Sequence, residues 1–238
     1  MVITILIGLV RRLEMFTEQR TRVSTREFSY NTLKAKILNL ELEPGTKISE
    51  KEIADELNVS RTPVREAFMK LAQEDLLDII PQSGTIVSLI NLEYVEEGRF
   101  IREIVEKEIV KLACVNFSED YRFRLESNLA MQQLCIGQNN FSRIYELDEQ
   151  FHQILFYGCG KVRSWEMLQL LNSHFNRLRL LRLSRDSNWE TIINQHKEIY
   201  RLIVNKDAER ASEVMADHLQ LVVVEQQLIK ERFPQYFV

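Results

Sequence analysis

Helix-breaking residues are scarce in this chain of 238 residues. It contains seven glycines and four prolines, and three of the prolines precede residue 82. Because proline removes a backbone donor and glycine weakens a helix, their scarcity predicts that residues 91–238 are almost entirely helical. Cysteine is also rare, and Cys114, Cys135 and Cys159 form no Cys-x-x-Cys pair. This spacing excludes a disulfide framework and a cysteine zinc site, and it indicates buried thiols in a reducing cytoplasm.

An excess of positive charge is missing as well. Residues 1–90 carry 12 Lys and Arg against 13 Asp and Glu, a balance of −1, and the remaining 19 against 22 give −3. This balance excludes a strong nonspecific attraction of the whole surface to nucleic acid. Basic residues are grouped locally instead, between Arg11 and Arg26 and between Arg61 and Lys70.

A run of apolar residues long enough to span a membrane is the third absence. Residues 2–10 are nearly all apolar, but nine residues fall far short of the roughly 20 that a bilayer requires. The run also lacks the basic start and small-residue cleavage site of a signal peptide. Residues 1–27 are therefore predicted to be an N-terminal extension, and translation from Met15 would omit the apolar run. A membrane-touching arm is the alternative.

The segment from Ser49 to Ala72 has the pattern of two short helices joined by a tight turn. Ser49 and Glu52 have the spacing of a capping box. Ser60 is placed to cap the second helix, with Pro63 in its first turn. A buried stripe is predicted by apolar residues at helical spacing, namely Val64, Ala67, Phe68, Leu71 and Ala72.

The polar side of the second helix carries the residues of interest. Arg61, Thr62 and Arg65 lie at its N-terminal end, where helix-turn-helix proteins contact base edges. The alternative is an ordinary helix pair with solvated arginines. Two flanking features favour DNA binding. Residues 78–90 have the pattern of a hairpin, the wing of a winged helix, and residues 30–40 predict a preceding helix that ends at a turn.

At these positions the chain resembles the winged-helix domain of the GntR family of bacterial transcription regulators. The matching stretches are Glu43–Gly45, Ser49–Ala54, Val59–Ala67, Pro81 and Gly84. The resemblance implies that residues 28–90 form a DNA-binding domain. In such a domain Arg61, Thr62 and Arg65 contact the major groove. Lys51 contacts the backbone or a base, and the wing tip at Gly84 approaches the minor groove.

The remainder of the chain divides into about six predicted helices joined by short loops. They cover residues 92–115, 118–135, 141–157, 162–184, 187–205 and 207–232, and the fifth is expected to begin with a capping box at Ser187 and Glu190. Short loops favour antiparallel neighbours, so residues 91–238 are predicted to form a bundle. The expected fold class is mostly α, with an N-terminal winged helix-turn-helix domain and a C-terminal all-helical bundle.

Candidate metal ligands occur on three of these helices. Asp148 and His152 are four residues apart and so share one face. His196 and His218 lie roughly 13 and 16 Å along their helices from a common turn, at 1.5 Å per residue, and can face each other. Three imidazoles and a carboxylate suit Zn²⁺ or Ni²⁺. On spacing alone, boundary histidines and an accidental Asp–His pair are the alternative.

Residues 147–152, 195–199 and 215–219 resemble the motifs of the FCD effector domain, the helical half of the FadR branch of the same family. The resemblance implies a divalent metal held by Asp148, His152, His196 and His218. Residues 101–106 resemble the first helix of that domain, which implies that Arg102 faces the pocket and holds a carboxylate. Six helices would favour the shorter, VanR-like form.

Four further basic residues of this half are candidates for the pocket. His174 matches no ligand motif, and it is expected either to line the pocket and touch the ligand or to be a packing histidine. One of Arg177, Arg179 and Arg182, which follow it, is also expected to face the pocket.

Taken together, these patterns predict a cytoplasmic, homodimeric transcription repressor rather than an enzyme. Two winged helices would bind a pseudo-palindromic operator, and a small organic acid would bind beside the metal. The first alternative is a metal sensor. The second is a metal-dependent hydrolase, for which Glu149 is a poor base because it points away from the ligand face, and no His-Glu-x-x-His motif occurs.

Overall fold

A computed structural model describes residues 24–138, 140–183, 189–224 and 226–238. Most of the predicted N-terminal extension lies outside these residues, and so do the capping box expected at Ser187 and the break expected at residues 186–188. Within the described part of the chain, no helix is both long enough and apolar enough to cross a membrane.

The first part of the chain is a three-helix unit with a small antiparallel sheet. Its elements are α1 (Thr25–Leu38), β1 (Lys47–Ile48), α2 (Glu50–Leu57), α3 (Arg61–Gln73), β2 (Leu77–Ile80) and β3 (Gly84–Val87). The strands lie in the order β1-β3-β2, and β2 and β3 form the predicted hairpin. The stripe on α3 is buried against α1 and the sheet, except that Ala72 is only half-buried. The predicted winged helix is therefore confirmed, and α1 begins shortly before residue 28.

The two helices of the helix-turn-helix motif begin differently. The Glu52 N–H donates to Ser49 Oγ at 3.2 Å, and the Ser49 N–H donates to the Glu52 carboxylate at 3.1 Å, which completes the predicted capping box. Ser60 occupies the N-cap of α3, but its side chain makes no capping hydrogen bond. The expected side-chain cap at Ser60 was therefore wrong.

This difference gives a matched test of the capping box. Ser49→Ala is expected to lower the free energy of unfolding by about 1 kcal/mol, because it removes the acceptor for the Glu52 N–H. Ser60→Ala is expected to change it by less than about 0.5 kcal/mol, as for an ordinary surface substitution. Chemical denaturation of both variants measures the difference. Equal losses would contradict the assignment of stability to the Ser49 side chain.

The second part of the chain is a bundle of helices. These are α4 (Leu92–Val115), α5 (Glu119–Gly137), α6 (Phe141–Gly158), α7 (Val162–Leu171), α8 (Ser173–Leu183), α9 (Trp189–Val204), α10 (Ala208–Val224) and α11 (Gln226–Arg232), followed by a 3-10 turn (Pro234–Tyr236). The expected fold class is confirmed, but within the described residues one of the about six expected helices is divided. One helix was expected over residues 162–184, and the structure divides it at Asn172 into α7 and α8. The helix count therefore gives no support to the shorter VanR-like form.

A close contact with α4 accompanies this division. Gly98 of α4 faces the junction of α7 and α8, where an added Cβ would lie 3.1 Å from Asn172 Oδ1 and 3.2 Å from the Leu171 carbonyl oxygen. Asn172 is completely buried there. The division thus lies where distant parts of the chain pack together, and local spacing gives no sign of it.

The bundle has a main core and a second apolar cluster near the winged helix. The main core contains Phe151 and Phe156 of α6, both with no exposed surface. The second cluster joins Ile90, which follows the wing, to α8 and to Phe237 near the end of the chain. Cys114 and Cys135 are buried free thiols, as expected, whereas Cys159 is half-buried.

Candidate functional site

Four buried side chains from three helices meet in the centre of the bundle. Asp148 and His152 come from α6, His196 from α9 and His218 from α10, and one ligand atom of each lies within 4.8 Å of those of the others. The structure therefore brings together all four residues that were predicted to bind a metal. Phe151 of α6 stacks on the His196 ring with centroids 4.1 Å apart and closes one side of the site.

The three histidine rings are oriented by acceptors from other residues. His152 Nδ1 contacts the Glu106 carboxylate of α4. His196 Nδ1 lies 2.9 Å from Gln132 Oε1, and His218 Nδ1 lies 3.2 Å from Gln195 Oε1. These oxygens are acceptors only, so each Nδ1 is the donor and each Nε2 faces the cluster centre.

The orientation of the Gln132 amide is itself determined by its surroundings. Its Nε2 donates to Asn128 Oδ1 at 2.7 Å, so Oε1 must face His196. Glu106, Gln132 and Gln195 were not among the predicted site residues. Gln195 is adjacent to a predicted ligand, but Glu106 and Gln132 lie 46 and 64 residues from the histidines they contact.

The Nε2 atoms converge closely. His196 Nε2 lies 3.3 Å from His218 Nε2, which lies 3.2 Å from His152 Nε2. Asp148 oxygens lie 3.6 Å from His196 Nε2 and 3.9 Å from His152 Nε2. Burial, and then neighbouring positive groups, lower the pKa of His196 and His218 well below the ordinary range. Both rings are therefore neutral, and their Nε2 lone pairs point at each other.

Such an arrangement fits a metal ion. Two lone pairs at 3.3 Å repel each other, and a cation between them would convert that repulsion into coordination. Neutral imidazole is the form of histidine that binds metals, and an Nδ1–H held by an acceptor is typical of metal-binding histidines. The four predicted residues can thus hold a divalent cation without a change of protonation at His196 or His218.

Two buried arginines border the cluster. Arg179 of α8, a member of the expected arginine group, reaches the site and pairs with Asp148 and with Glu149. Arg102 of α4 is completely buried, and its Nε donates to Glu106. Its Nη1 and Nη2 have no hydrogen-bond partner among the described residues, although Glu149 Oε1 lies 3.6 Å from Nη1.

Two carboxylates beside these arginines, Glu106 and Glu149, have lowered pKa values. Burial alone would raise the pKa of Glu106, but the charge of Arg102 and the contact with His152 outweigh it and lower the value to about 2. Burial likewise opposes ionisation of Glu149, and the charges of Arg179 and then Arg102 lower its pKa. The site therefore combines fixed positive and negative charges with one guanidinium that has free donors.

His174 lies elsewhere, at the junction of the two halves. Its Nδ1 accepts the Asn91 N–H at 3.2 Å and lies 3.0 Å from Arg177 Nη2, and its ring meets the edge of Tyr94. Burial, followed by the charge of Arg177, lowers the pKa of His174 to about 3. The expected contact of His174 with a ligand beside the cluster gains no support from these contacts, which belong to a packing histidine.

The residues predicted to contact DNA share one exposed region of the winged helix. Lys51 lies on α2, while Arg61, Thr62 and Arg65 lie in the first turns of α3, and all four are exposed. Gly84 begins β3 after the wing turn with φ +108°, a conformation that favours glycine. The residues that the resemblance assigns to DNA contact are therefore accessible to a duplex.

Arg65 is held by a residue that the sequence reasoning missed. Its Nε donates to Glu50 Oε1 at 2.9 Å and its Nη2 donates to Glu50 Oε2 at 2.9 Å. The hydrogen bond to Glu50 raises the pKa of Arg65. This bidentate pair orients the guanidinium at the start of α3 while most of its side chain stays exposed.

Comparison with known proteins agrees with the geometry. The family named "Bacterial regulatory proteins, gntR family" matches residues 25–87, and the FCD domain matches residues 99–221. The chain is 32% identical over 208 residues to the HTH-type transcriptional repressor RspR of Escherichia coli (strain K12), covering 87% of this chain and 91% of that protein. An HTH-type regulator of Streptomyces ambofaciens is 32% identical and covers 90% of each chain.

Solved structures share the fold. E. coli McbR/YncC has a TM-score of 0.77 at 21% identity, covering 89% of this chain and 99% of that chain. A GntR transcriptional regulator from Rhodococcus sp. RHA1 has a TM-score of 0.68 at 22% identity, covering 87% and 98%. The relatives are transcription regulators rather than enzymes, as expected from the sequence. The chain therefore belongs to the GntR family of DNA-binding bacterial transcription regulators, with an FCD domain in its C-terminal half.

Proposed function

We propose that this regulator is a homodimeric repressor whose operator binding responds to a small organic acid bound beside a divalent metal. Residues 28–90 would bind the operator, and residues 91–238 would bind the effector and form the dimer. The observation that carries the proposal is the buried cluster in which three imidazole Nε2 atoms and a carboxylate converge. The similarity to a protein named as a repressor supports repression rather than activation.

The residues that would hold the metal are Asp148, His152, His196 and His218. Nitrogen-rich sites of this kind favour Zn²⁺ or Ni²⁺ over Mg²⁺ or Ca²⁺. The ion would be held by three imidazoles and one carboxylate. As a Lewis acid, it would also bind a carboxylate oxygen of the effector. The acceptors on the three Nδ1 atoms would keep the rings in place when the metal binds, as outer-shell partners do elsewhere.

Arg102 is the residue proposed to bind the effector. Among the described residues its two terminal nitrogens, both buried donors, find no hydrogen-bond partner, an arrangement that is unfavourable unless one arrives. A carboxylate is the natural partner, because it matches the fork of a guanidinium with two parallel hydrogen bonds. Glu149, 3.6 Å from Arg102 Nη1 and paired with Arg179, would be pushed aside by such a ligand through like-charge repulsion.

Dimer formation is supported by apolar side chains that remain exposed on neighbouring helices. Phe100 and Ile104 of α4 are 55% and 50% exposed, and Met167 and Leu170 of α7 are 66% and 50% exposed. Soluble monomers rarely leave several large apolar residues together in water. A second copy of the chain would cover them and place two copies of α3 on successive half-sites of a pseudo-palindromic operator.

A thermal-shift screen of small mono-, di- and tricarboxylates tests the effector and the metal together. Binding acids are expected to raise the melting temperature of the wild type, because a ligand that binds only the folded state stabilises it. EDTA and Arg102→Gln are each expected to remove this rise, whereas Arg201→Gln, a change of an exposed arginine on α9, keeps it. A rise that survives both EDTA and Arg102→Gln would contradict the proposed site.

Titrating operator binding with free metal distinguishes a metal that anchors the effector from a metal that is itself the signal. A metal that is already bound in the purified protein and leaves only with a chelator favours the anchoring role. Operator binding that follows free metal but does not respond to any acid favours a sensor.

A further inference from the structure

Helix α8 contacts the two halves of the protein through opposite faces. Residues two apart on an α-helix lie about 200° apart around its axis, so Arg177 and Arg179 point to opposite sides. Arg179 pairs with Asp148 and Glu149 at the cluster. Arg177 instead reaches residues 88–91, here named the linker, which joins the wing to α4. One helix therefore touches both the candidate metal site and the linker.

Arg177 holds the linker through a compact set of hydrogen bonds. Its Nη1 donates to the Ser88 carbonyl at 2.6 Å, and its Nη2 donates to Ser88 Oγ at 3.2 Å and to His174 Nδ1 at 3.0 Å. The Asn91 N–H donates to the same His174 nitrogen at 3.2 Å. Ser88 Oγ donates to the Asp75 carbonyl at 2.5 Å, so the set continues into the winged helix.

The linker is held from a second direction by the last residues of the chain. The Ile90 N–H donates to the Tyr236 carbonyl at 2.8 Å, and the Val238 N–H donates to the Ile90 carbonyl at 3.1 Å. Phe237 belongs to the same apolar cluster as Leu178 of α8. Residues 88–91 thus have backbone and side-chain contacts on both sides, so a shift of α8 would strain or carry these contacts.

The environment of Arg177 is unusual for a side chain that only stabilises the fold. It has no exposed surface, and its hydrogen-bond partners within the described residues are neutral. Burial lowers the pKa of Arg177 to about 10, against the attraction of Asp78 and Asp75. Replacing a buried charge with an apolar side chain of similar size is often neutral or stabilising. Stability alone therefore does not explain an arginine here.

We propose that α8 couples the metal cluster to the winged helix, with Arg177 as the positioning residue that makes the linker follow the helix. The inference rests on the proposed function, because it names the path by which binding at the cluster alters operator binding. A displacement of α8 at Arg179 carries Arg177 and His174 with it. Ser88 and Asn91 then move with these side chains and change the orientation of the winged helix.

The test uses the full-length chain and Arg177→Met, which keeps the length of the side chain and removes its donors. Zn²⁺ alone is the probe, and an operator is first selected in vitro with the wild type. Three quantities are measured with and without Zn²⁺: metal per chain, amide hydrogen exchange of the linker and operator affinity. Ser88→Ala removes two hydrogen bonds at the other end of the same set, one from Arg177 and one to Asp75. Arg201→Met is the control at an exposed site.

In the wild type, Zn²⁺ is expected to slow exchange in the linker and to change operator affinity by about 5- to 150-fold, the usual range of coupling between sites. In Arg177→Met, the metal content per chain stays the same, and linker exchange is fast with and without Zn²⁺. The ratio of operator affinities with and without Zn²⁺ falls to within about 2-fold of unity. Ser88→Ala gives an intermediate ratio, and Arg201→Met behaves like the wild type. An unchanged ratio in Arg177→Met, or a lost ratio together with lost metal, would overturn the inference.

Failure of the proposed function gives a different result. If Zn²⁺ binds the wild type but operator affinity responds neither to Zn²⁺ nor to the acids of the thermal-shift screen, control through the cluster is refuted. The role of Arg177 is then decided by linker exchange without metal. Faster exchange and altered operator affinity in Arg177→Met support a positioning role, and wild-type exchange rejects it. If Arg177→Met does not fold, the same criteria apply to Ser88→Ala.

Discussion

Replacing Arg65 by alanine is expected to reduce affinity for the operator by at least about 30-fold without disturbing the fold. Arg65 is exposed in the second turn of α3 and its guanidinium is held in a fixed orientation by Glu50. A bidentate contact with a base is worth about 1–3 kcal/mol, and a dimer would lose one such contact in each half-site. A combined loss of about 2 kcal/mol corresponds to roughly 30-fold in affinity.

Fluorescence anisotropy with a selected operator and a scrambled duplex measures this loss. Affinity for the scrambled duplex is expected to change little in Arg65→Ala, because base contacts contribute mainly to the specific complex. Lys51→Ala should behave differently if Lys51 contacts phosphate, because it would then weaken binding to both duplexes. The slope of log affinity against log salt concentration would also fall by about one counterion per subunit.

Two controls separate docking from folding. Arg201→Ala removes an exposed arginine that is also paired with a glutamate, Glu198, but lies on α9 of the bundle. It should bind the operator like the wild type. Melting temperatures of Arg65→Ala and Arg201→Ala should match. Wild-type operator affinity in Arg65→Ala would reject the proposed position of α3 in the major groove.

Local patterns were sufficient for the winged helix because its determinants are close together in sequence. The capping box needs only Ser49 and Glu52, and the hairpin needs only residues 77–87. The resemblance to the FCD domain indicated that two pairs of cluster residues meet. Within each pair the relation was predictable from spacing, since Asp148 and His152 lie on one helix and His196 and His218 flank one turn. In each case helical or strand geometry converts a short spacing directly into a position in space.

The missed features depend on contacts between distant parts of the chain. Glu106 meets His152 across 46 residues, Gln132 meets His196 across 64, and Arg177 meets Ser88 across 89. Sequence spacing does not report which glutamate or arginine of a helix will face a distant partner. The division at Asn172 has the same origin, because it lies where α4 approaches closely at Gly98. Of the two places expected for His174, its contacts with Asn91 and Arg177 at the domain junction agree with the packing one, and sequence spacing could not indicate these partners.

The second large effect is expected from removing the metal. The protein as purified is expected to contain about one Zn²⁺ or Ni²⁺ ion per chain, and EDTA is expected to lower its melting temperature by about 8–16 °C. A ligand at about 1,000 times its dissociation constant stabilises the folded state by about 4 kcal/mol. For a chain of this size each kcal/mol changes the melting temperature by roughly 2–4 °C. Elemental analysis and a thermal melt of the same samples measure both quantities.

A pair of histidine variants makes this prediction specific to the cluster. His196→Gln should contain little metal and should melt at the same temperature with and without EDTA. It should also be no less stable than the EDTA-treated wild type, because the substitution removes the facing lone pairs of His196 and His218, whose Nε2 atoms lie 3.3 Å apart. His174→Gln, which alters the one histidine outside the cluster, should keep both the metal and the response to EDTA. Equal metal content in His196→Gln and His174→Gln would show that the four converging side chains are not the metal site.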